Sequence, residues 1–343
     1  MSTILNTYEP VGQMGWGEEF QTVQQKLDIE KRIYSDLFDE VPHLLQPKDP
    51  KPVNAELLAK VKELQQADGI DDGFTMLHLT QAVFGQQFDW RAQIIGSCVA
   101  SGAMRTLAYR MIAESFLLND PETLFGVDIE GTDSLAPFAC YHYRAGRKIG
   151  GLNGGDGSFC DAQIKGLLQY GMLTCDVQGL QSDAFPEPQS ASLYRRWGNS
   201  NSLLEQYADK GKIRRLTESV NVSSADQAKQ FLIQHQKPMN ICSNWGFAPD
   251  TVHRSWKLAN GQYVVIYKRS GSWAHNMSVI GFVIVGGQEF VIIENSWGKS
   301  AHKNGTWFAI PASLFDSWLR SAECMTVGEI DMVDNGSVWP EKP

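Results

Sequence analysis

A thiol, an imidazole and a carboxamide stand in this chain in an order that could do acyl-transfer chemistry. Cys98 opens the run CVASGAMRTLAYRMI, His275 sits in SWAHNMSVIGF, and Asn295 begins NSWG directly after FVIIE. The reactive form of a cysteine is its thiolate. A cysteine in the first turn of a helix gains that form from the helix dipole and from the unpaired N–H groups there. Those N–H groups can also hold an oxyanion. A histidine at the head of a strand on a facing lobe can take the thiol proton, so the resting pair expected is thiolate and imidazolium. That pair needs a neutral third partner. An amide oxygen from Asn295 accepts from the imidazole and fixes its tautomer without adding charge. Trp297, two residues on, can cover that hydrogen bond.

Each residue has a bland explanation when taken alone. A buried cysteine is usually inert packing, a histidine is usually a satisfied core or surface residue, and Asn-Ser-Trp-Gly can be a turn. The combination is what informs: cysteine on a helix start, histidine on a strand, asparagine after the next strand.

The elements that must position them follow from periodicity. Phe20, Val23, Leu27, Tyr34 and Leu37 share one face of a helix from about Glu18 to Phe38. Pro42, Pro47, Pro50 and Pro52 then make an extended linker. Asn54 can cap a second helix carrying Leu57, Leu58, Val61 and Leu64, which Gly69 ends. Cys98–Leu118 reads as a strong helix, and another runs from Asp161 to Tyr170 after a glycine-rich stretch. Residues 178–222 are polar with weak periodicity and read as a loop-rich insertion. Ser224 and Gln227 form a capping-box pattern. From Lys237 the texture becomes strands: Met239–Cys242, Tyr263–Tyr267, Met277–Val285 and Phe290–Glu294, with a hairpin at Gly286–Gly287. Helices first and strands second predict an α+β fold of two lobes with a cleft between them.

The whole chain narrows the function classes. Its 343 residues can build one large domain or two, and a formal net charge of −9 argues against nucleic-acid or anionic-membrane binding. Six cysteines lie scattered without a CxxC pair or zinc-type spacing, so no metal site is expected, and most should be buried thiols in a reducing compartment. No secretory signal or membrane-length apolar run is read, which places the protein in the cytoplasm or a virion.

Several segments resemble the papain-like cysteine peptidases. GSCVASGAM resembles their nucleophile segment, and HNMSVIGF followed by VIIENSWG is similar to their histidine strand and asparagine turn. GDGSFCDAQIKGLLQYGMLT is similar to the glycine segment lining their cleft and the helix after it. AKQFLIQHQKPMNICSNW resembles the helix and strand before the histidine, NGTWFAIPASLF the final strand, and FDWR the start of the mature domain. The resemblance covers roughly residues 88–320. It implies a papain-like two-lobe fold over residues 86–330, with residues 1–85 as an appended helical extension and 331–343 as a tail. It implies a thiol endopeptidase with Cys98, His275 and Asn295 catalytic, Gly155, Gly157 and Trp297 in the substrate cleft, a polypeptide substrate and no cofactor.

The chain departs from the family pattern at several points. The usual oxyanion glutamine position holds Ala92. Gln93 is the nearest candidate, with Gln86 and Gln87 farther back. Val99 replaces a tryptophan, Ile95 a half-cystine, Asn276 a small apolar residue and Glu294 a commonly basic one. The first 85 residues lack the family's pro-segment pattern. An alternative reading is a structural or assembly protein, such as a viral particle subunit, built on the same scaffold and sitting within a larger protein assembly. An acyl hydrolase or transferase of other substrates is a third.

Overall fold

The computed structural model describes residues 53–87, 92–93, 95–118, 137–175, 190–216, 219–250, 256–298, 301–302, 304–328 and 330–332. The helix expected near 18–38, the prolines after it and the FDWR segment lie outside those residues.

Asn54 caps α1 (Ala55–Ala67), its Oδ1 accepting from the Leu57 N–H at 3.1 Å. Gly69 then turns the chain away at φ +74°. β1 (Asp72–Thr75) leads into α2 (Met76–Phe84), capped by the Thr75 hydroxyl. α3 (Cys98–Ile112) continues into a π-helical turn at Ala113–Leu117. α4 (Ala139–Ile149) and α5 (Cys160–Tyr170) follow, and Gly171 at φ +70° stops α5 as expected.

The loop-rich insertion needs correcting. Its described part forms α6 (Ala191–Gly198), α7 (Asn201–Gly211) and β2 (Arg214–Leu216). Each helix is too short for its period to stand out. α6 nevertheless buries Leu193, Tyr194 and Trp197, and α7 buries Leu204 and Tyr207. Ser200 marks the start of α7 by accepting the Leu203 N–H at 3.2 Å.

In α8 (Ala225–His235), Ser224 accepts the Gln227 N–H, while Gln227 reaches back to Ser223. The remaining elements are β3 (Met239–Pro249), β4 (Tyr267–Val285), β5 (Gln288–Glu294), β6 (Trp307–Pro311), α9 (Ala312–Leu319), β7 (Glu323–Thr326) and β8 (Ile330–Met332). Tyr263 and Ile266, expected in a strand, make isolated bridges, and β4 begins at Tyr267. Gly286 and Gly287, both at positive φ, turn β4 into β5 as the sequence predicts.

The main sheet is antiparallel, in the order β6-β5-β4-β3-β7, with β1 also on β4. One edge of β4 pairs with β5. The other pairs with β3 as far as Val279 and then with β1 from Gly281. The segment read as an appended extension thus contributes a strand. β2 and β8 form a separate pair.

Alternate residues of β5 serve two cores. Phe290 and Ile292 join the cluster packed with α1–α4, while Val291 and Ile293 join the one beneath α8 and α9. A sheet covered on both faces needs apolar residues at every position, which is why FVII reads as an unbroken run. Each such side chain, fully buried, stabilises the fold by about 1.5–3 kcal/mol.

Helix α3 meets β4 at Gly102, where a Cβ would lie 1.6 Å from Asn276 Oδ1. The backbones therefore approach closely enough for Ser278 Oγ to donate to the Gly102 carbonyl at 3.0 Å and for Thr106 Oγ1 to donate to Ser278 at 2.9 Å. Gly102→Ala should lower the unfolding free energy by about 1–3 kcal/mol, because overpacking outweighs the helix-propensity gain of about 1 kcal/mol. Thermal melts of the two proteins test this; an unchanged midpoint would mean that Asn276 moves aside freely.

Candidate active site

Cys98 is the first residue of α3 and is wholly buried. The Ser97 side chain caps nothing, and the first-turn N–H groups of Cys98 and Val99 favour the thiolate form of the Cys98 sulfur. The backbone N–H of Asn276, the residue after His275, also favours the thiolate form of that sulfur. The close packing at Gly102, one turn along α3, thus brings the thiol against β4 beside the histidine. Cys98 is a free thiol.

His275 pairs with Ser243 of β3 in the sheet register and is buried. Asn295 follows β5, and its backbone N–H is held by the Thr306 carbonyl at 2.8 Å. His275 Nε2 and Asn295 Oδ1 are 2.7 Å apart. Nδ1 of His275 is buried without a hydrogen-bond partner among the described residues. Trp297 lies over the imidazole with ring centroids 4.7 Å apart, and Trp273 meets Trp297 edge-on at 5.1 Å. The Asn295 carbonyl accepts from Arg105, a buried arginine of α3. Both members of the pair are therefore tied to the helix that carries Cys98.

Gln93 is buried against the same turn. Its backbone N–H donates to the Ser296 carbonyl at 2.7 Å, its Oε1 accepts from the Ser296 hydroxyl, and its Nε2 donates to the Ile95 carbonyl at 3.1 Å. An amide nitrogen carries two hydrogens, and Ile95 takes one. Gly155 and Gly157 adopt positive φ angles of +67° and +109°. Their loop lies against the segment before Cys98: a Cβ on Gly96 would sit 3.2 Å from Asp156 Cβ and 3.3 Å from Gly157 N. Arg147 of α4 holds that loop by donating to the Gly154 and Gly157 carbonyls at 2.8 and 2.6 Å.

Sequence reasoning missed four features here. Arg105 and Arg147 each sit on the buried face of a helix, and a charge on an apolar stripe was the available signal. Asn276 donates from Nδ2 to the sulfurs of Cys160 and Cys242 at 3.2 and 2.9 Å. Those two cysteines form a disulfide with Cα atoms 6.2 Å apart, while Cys98, Cys140, Cys175 and Cys324 are free thiols, in line with the expectation for most of the six. Cys160 packs in one cluster with Cys98 and Val99. Spacing gave no hint of the pairing, since it spans 82 residues. His302 is the fourth; its Nε2 lies 2.9 Å from Asn295 Nδ2.

Burial reverses the expected charge state. It pushes the Cys98 thiol up to about 11 from 9.0, only partly offset by the three N–H donors. It pulls His275 down to about 4 from 6.5 against the Asn295 hydrogen bond, and Arg105 adds to the fall. Desolvation likewise lowers His142 and His302 to about 3. Near neutrality the pair is thiol and imidazole.

The linkage signs are opposite for the two types. Cys98 holds its proton more tightly when folded, so its contribution is full below 9.0 and is lost as pH rises toward 11. The histidines hold theirs less tightly when folded, so their contribution is full above 6.5 and is lost as pH falls toward 4 and 3. Melting temperature should therefore plateau between about 6.5 and 9 and fall on both sides. His275→Gln should make the acid limb shallower, and an unaltered limb would refute its assigned share.

No family model matches the chain, and no curated protein does. Solved structures do match. Xylellain, a cysteine protease from Xylella fastidiosa, is 16% identical; the match covers 82% of this chain and 93% of that one at a TM-score of 0.50. Procathepsin B S9 from Trypanosoma congolense is 10% identical over 84% of each chain, with a TM-score of 0.46. Procathepsin L 3 of the Tenebrio molitor larval midgut is 9% identical over 82% of this chain and 71% of its own, with a TM-score of 0.38. Likeness at such identity concerns architecture, and fold alone does not fix function. The helical lobe headed by Cys98 and the antiparallel sheet carrying His275 are the two lobes of the papain-like cysteine peptidase fold.

Proposed function

We propose that this chain is a papain-like cysteine endopeptidase that cleaves peptide bonds through an acyl-thioester on Cys98. One observation carries the reading: a buried imidazole is held at Nε2 by Asn295, has Nδ1 unpaired among the described residues, and precedes Asn276, whose backbone N–H favours the Cys98 thiolate.

In this reading His275 Nδ1 takes the Cys98 proton as the sulfur attacks the scissile carbonyl carbon. The substrate's own charges and dipoles replace the apolar surroundings that hold the resting pair neutral. The oxyanion is met by the Cys98 N–H and the remaining hydrogen of Gln93 Nε2. The imidazolium then protonates the leaving amine, and the acyl group stays on sulfur. Water enters, gives a proton to His275 and attacks the thioester, which releases the acid and restores the thiol. Asn295 keeps the proton of the neutral ring on Nε2, so that Nδ1 is left bare to act as the base. Trp297 keeps water from the Asn295 bond, and the Gly155–Gly157 loop lies alongside the bound polypeptide.

Cys98→Ala should abolish peptide hydrolysis, His275→Ala nearly so, and Asn295→Ala should leave a measurable residue. Gln93→Ala should cost about 10²–10³ in kcat, the loss typical of one oxyanion donor. Because Cys98 is wholly buried, a thiol-directed peptide probe must wait for local opening. It should label Cys98 slowly but selectively in native protein, as read by mass spectrometry. No labelling and no hydrolysis across a diverse peptide pool would sink the peptidase reading and leave the assembly-scaffold one, which no observation now favours.

A further inference from the structure

His302 belongs to no element that the peptidase reading uses, yet its side chain completes a buried chain of polar groups. Tyr267 Oη lies 3.0 Å from His302 Nδ1, His302 Nε2 lies 2.9 Å from Asn295 Nδ2, and Asn295 Oδ1 lies 2.7 Å from His275 Nε2. Two backbone hydrogen bonds with Gly305, at 3.2 and 3.1 Å, fix the His302 main chain. Its ring is enclosed by Phe308, Tyr267 and Trp297, with centroids at 4.8, 5.1 and 6.3 Å.

A carboxamide is nearly symmetric in shape, and turning it over exchanges an acceptor for a donor. What faces its far side therefore decides what it offers on its near side. Here the far side meets a ring nitrogen that must accept from the Asn295 NH₂ group. His302 meets that demand when it is neutral with its hydrogen on Nδ1, donating to Tyr267 Oη. The Asn295 oxygen is then left to point at His275, whose Nε2 must carry the hydrogen. Nδ1 of His275 is thereby kept as the bare, basic nitrogen. Without an acceptor at position 302 the amide loses its reason to prefer this orientation. The reversed amide would offer NH₂ to His275 Nε2, move the imidazole hydrogen to Nδ1 and block proton removal from the thiol.

We infer that His302 is a positioning residue that sets the orientation of the Asn295 amide and, through it, the tautomer of His275. The inference rests on the peptidase reading for its effect on rate but not for its effect on the tautomer. The groups facing His302 are Tyr267 at the head of β4, His275 farther along that strand, and Asn295 and Trp297 after β5. Arg105 of α3 acts from behind Asn295, on its carbonyl. Protonating His302 would set an N–H against the Asn295 NH₂ group, and burial opposes that charge.

The test compares the full-length protein with His302→Leu, His302→Gln and Tyr267→Phe. Two readouts are used: imidazole ¹⁵N–¹H correlation spectra, which report tautomers, and kcat and KM on a peptide pool. In the parent, His275 should show its hydrogen on Nε2. His302→Leu should move a substantial fraction to Nδ1 and lower kcat by at least about tenfold, the scale of a misplaced imidazole proton, with KM within about twofold. His302→Gln, which can present an acceptor oxygen to the same NH₂ group, should stay close to the parent in both readouts. Tyr267→Phe should fall between. Parent tautomer and kcat in His302→Leu would overturn the inference, as would a glutamine variant as impaired as the leucine one. If His302→Leu does not fold, the tautomers of the glutamine and phenylalanine variants decide. If the parent hydrolyses nothing, the peptidase reading fails and the spectra alone judge this one.

Discussion

At Gly102 helix α3 adds no side chain of its own to the contact with β4, so Asn276 of the strand lies directly against the helix and the hydroxyls of Ser278 and Thr106 stitch the two elements together. Everything near Cys98 depends on this approach. A helix normally keeps 8–10 Å from its neighbour because side chains fill the space. Removing one Cβ lets the N-terminal half of α3 settle closer onto the histidine strand. A backbone N–H of β4 can then favour the thiolate, and Asn276 can fill the gap under Gly102 while its amide meets the Cys160 and Cys242 sulfurs.

That closeness has a price in polar groups taken out of water, and the fold offsets it with partners. Tyr109 and Thr306 both donate to Glu294 Oε1, at 2.9 and 3.0 Å. Arg105 takes the Asn295 carbonyl, and Arg147 takes two carbonyls of the glycine loop. Removing one partner from such a network leaves the other buried without water, which costs about 1–3 kcal/mol per group. The same dryness that holds Cys98 and His275 neutral is what fixes their orientation.

Much of this was legible in the order of residue types. Cys98 and Asn295 stood out because each sits at a recognisable boundary, a helix start and a strand end; His275, read as a strand head, lies inside β4, which begins earlier, at Tyr267. Asn54, Ser200 and Ser224 are local caps, whose geometry depends on residues three positions away, although Ser200 went unread between two short helices. Other features depend on partners far along the chain. Gly102 looks like any small residue in a helix until Asn276 is set beside it. His302 looks like a solvent-facing turn residue until Asn295 and Tyr267 close around it. The Cys160–Cys242 pairing and the place of β1 in the sheet are likewise relations between distant segments, and periodicity carries no record of them.

The position of β1 has a consequence in time. Asp72 pairs with Ile284 and Thr75 with Gly281. During synthesis, α1, β1 and α2 leave the ribosome long before the second half of β4 exists. Phe74, 2% exposed in the finished fold, must wait for its strand partner until the chain has grown as far as Phe282. Pairings so far apart close slowly, because the loop entropy is lost before contact energy is gained. An unpaired strand edge is meanwhile open to pairing with other chains. The sheet thus stays open at β1 until the second half of β4 is made, which leaves that edge free to meet other copies of the chain in the interval.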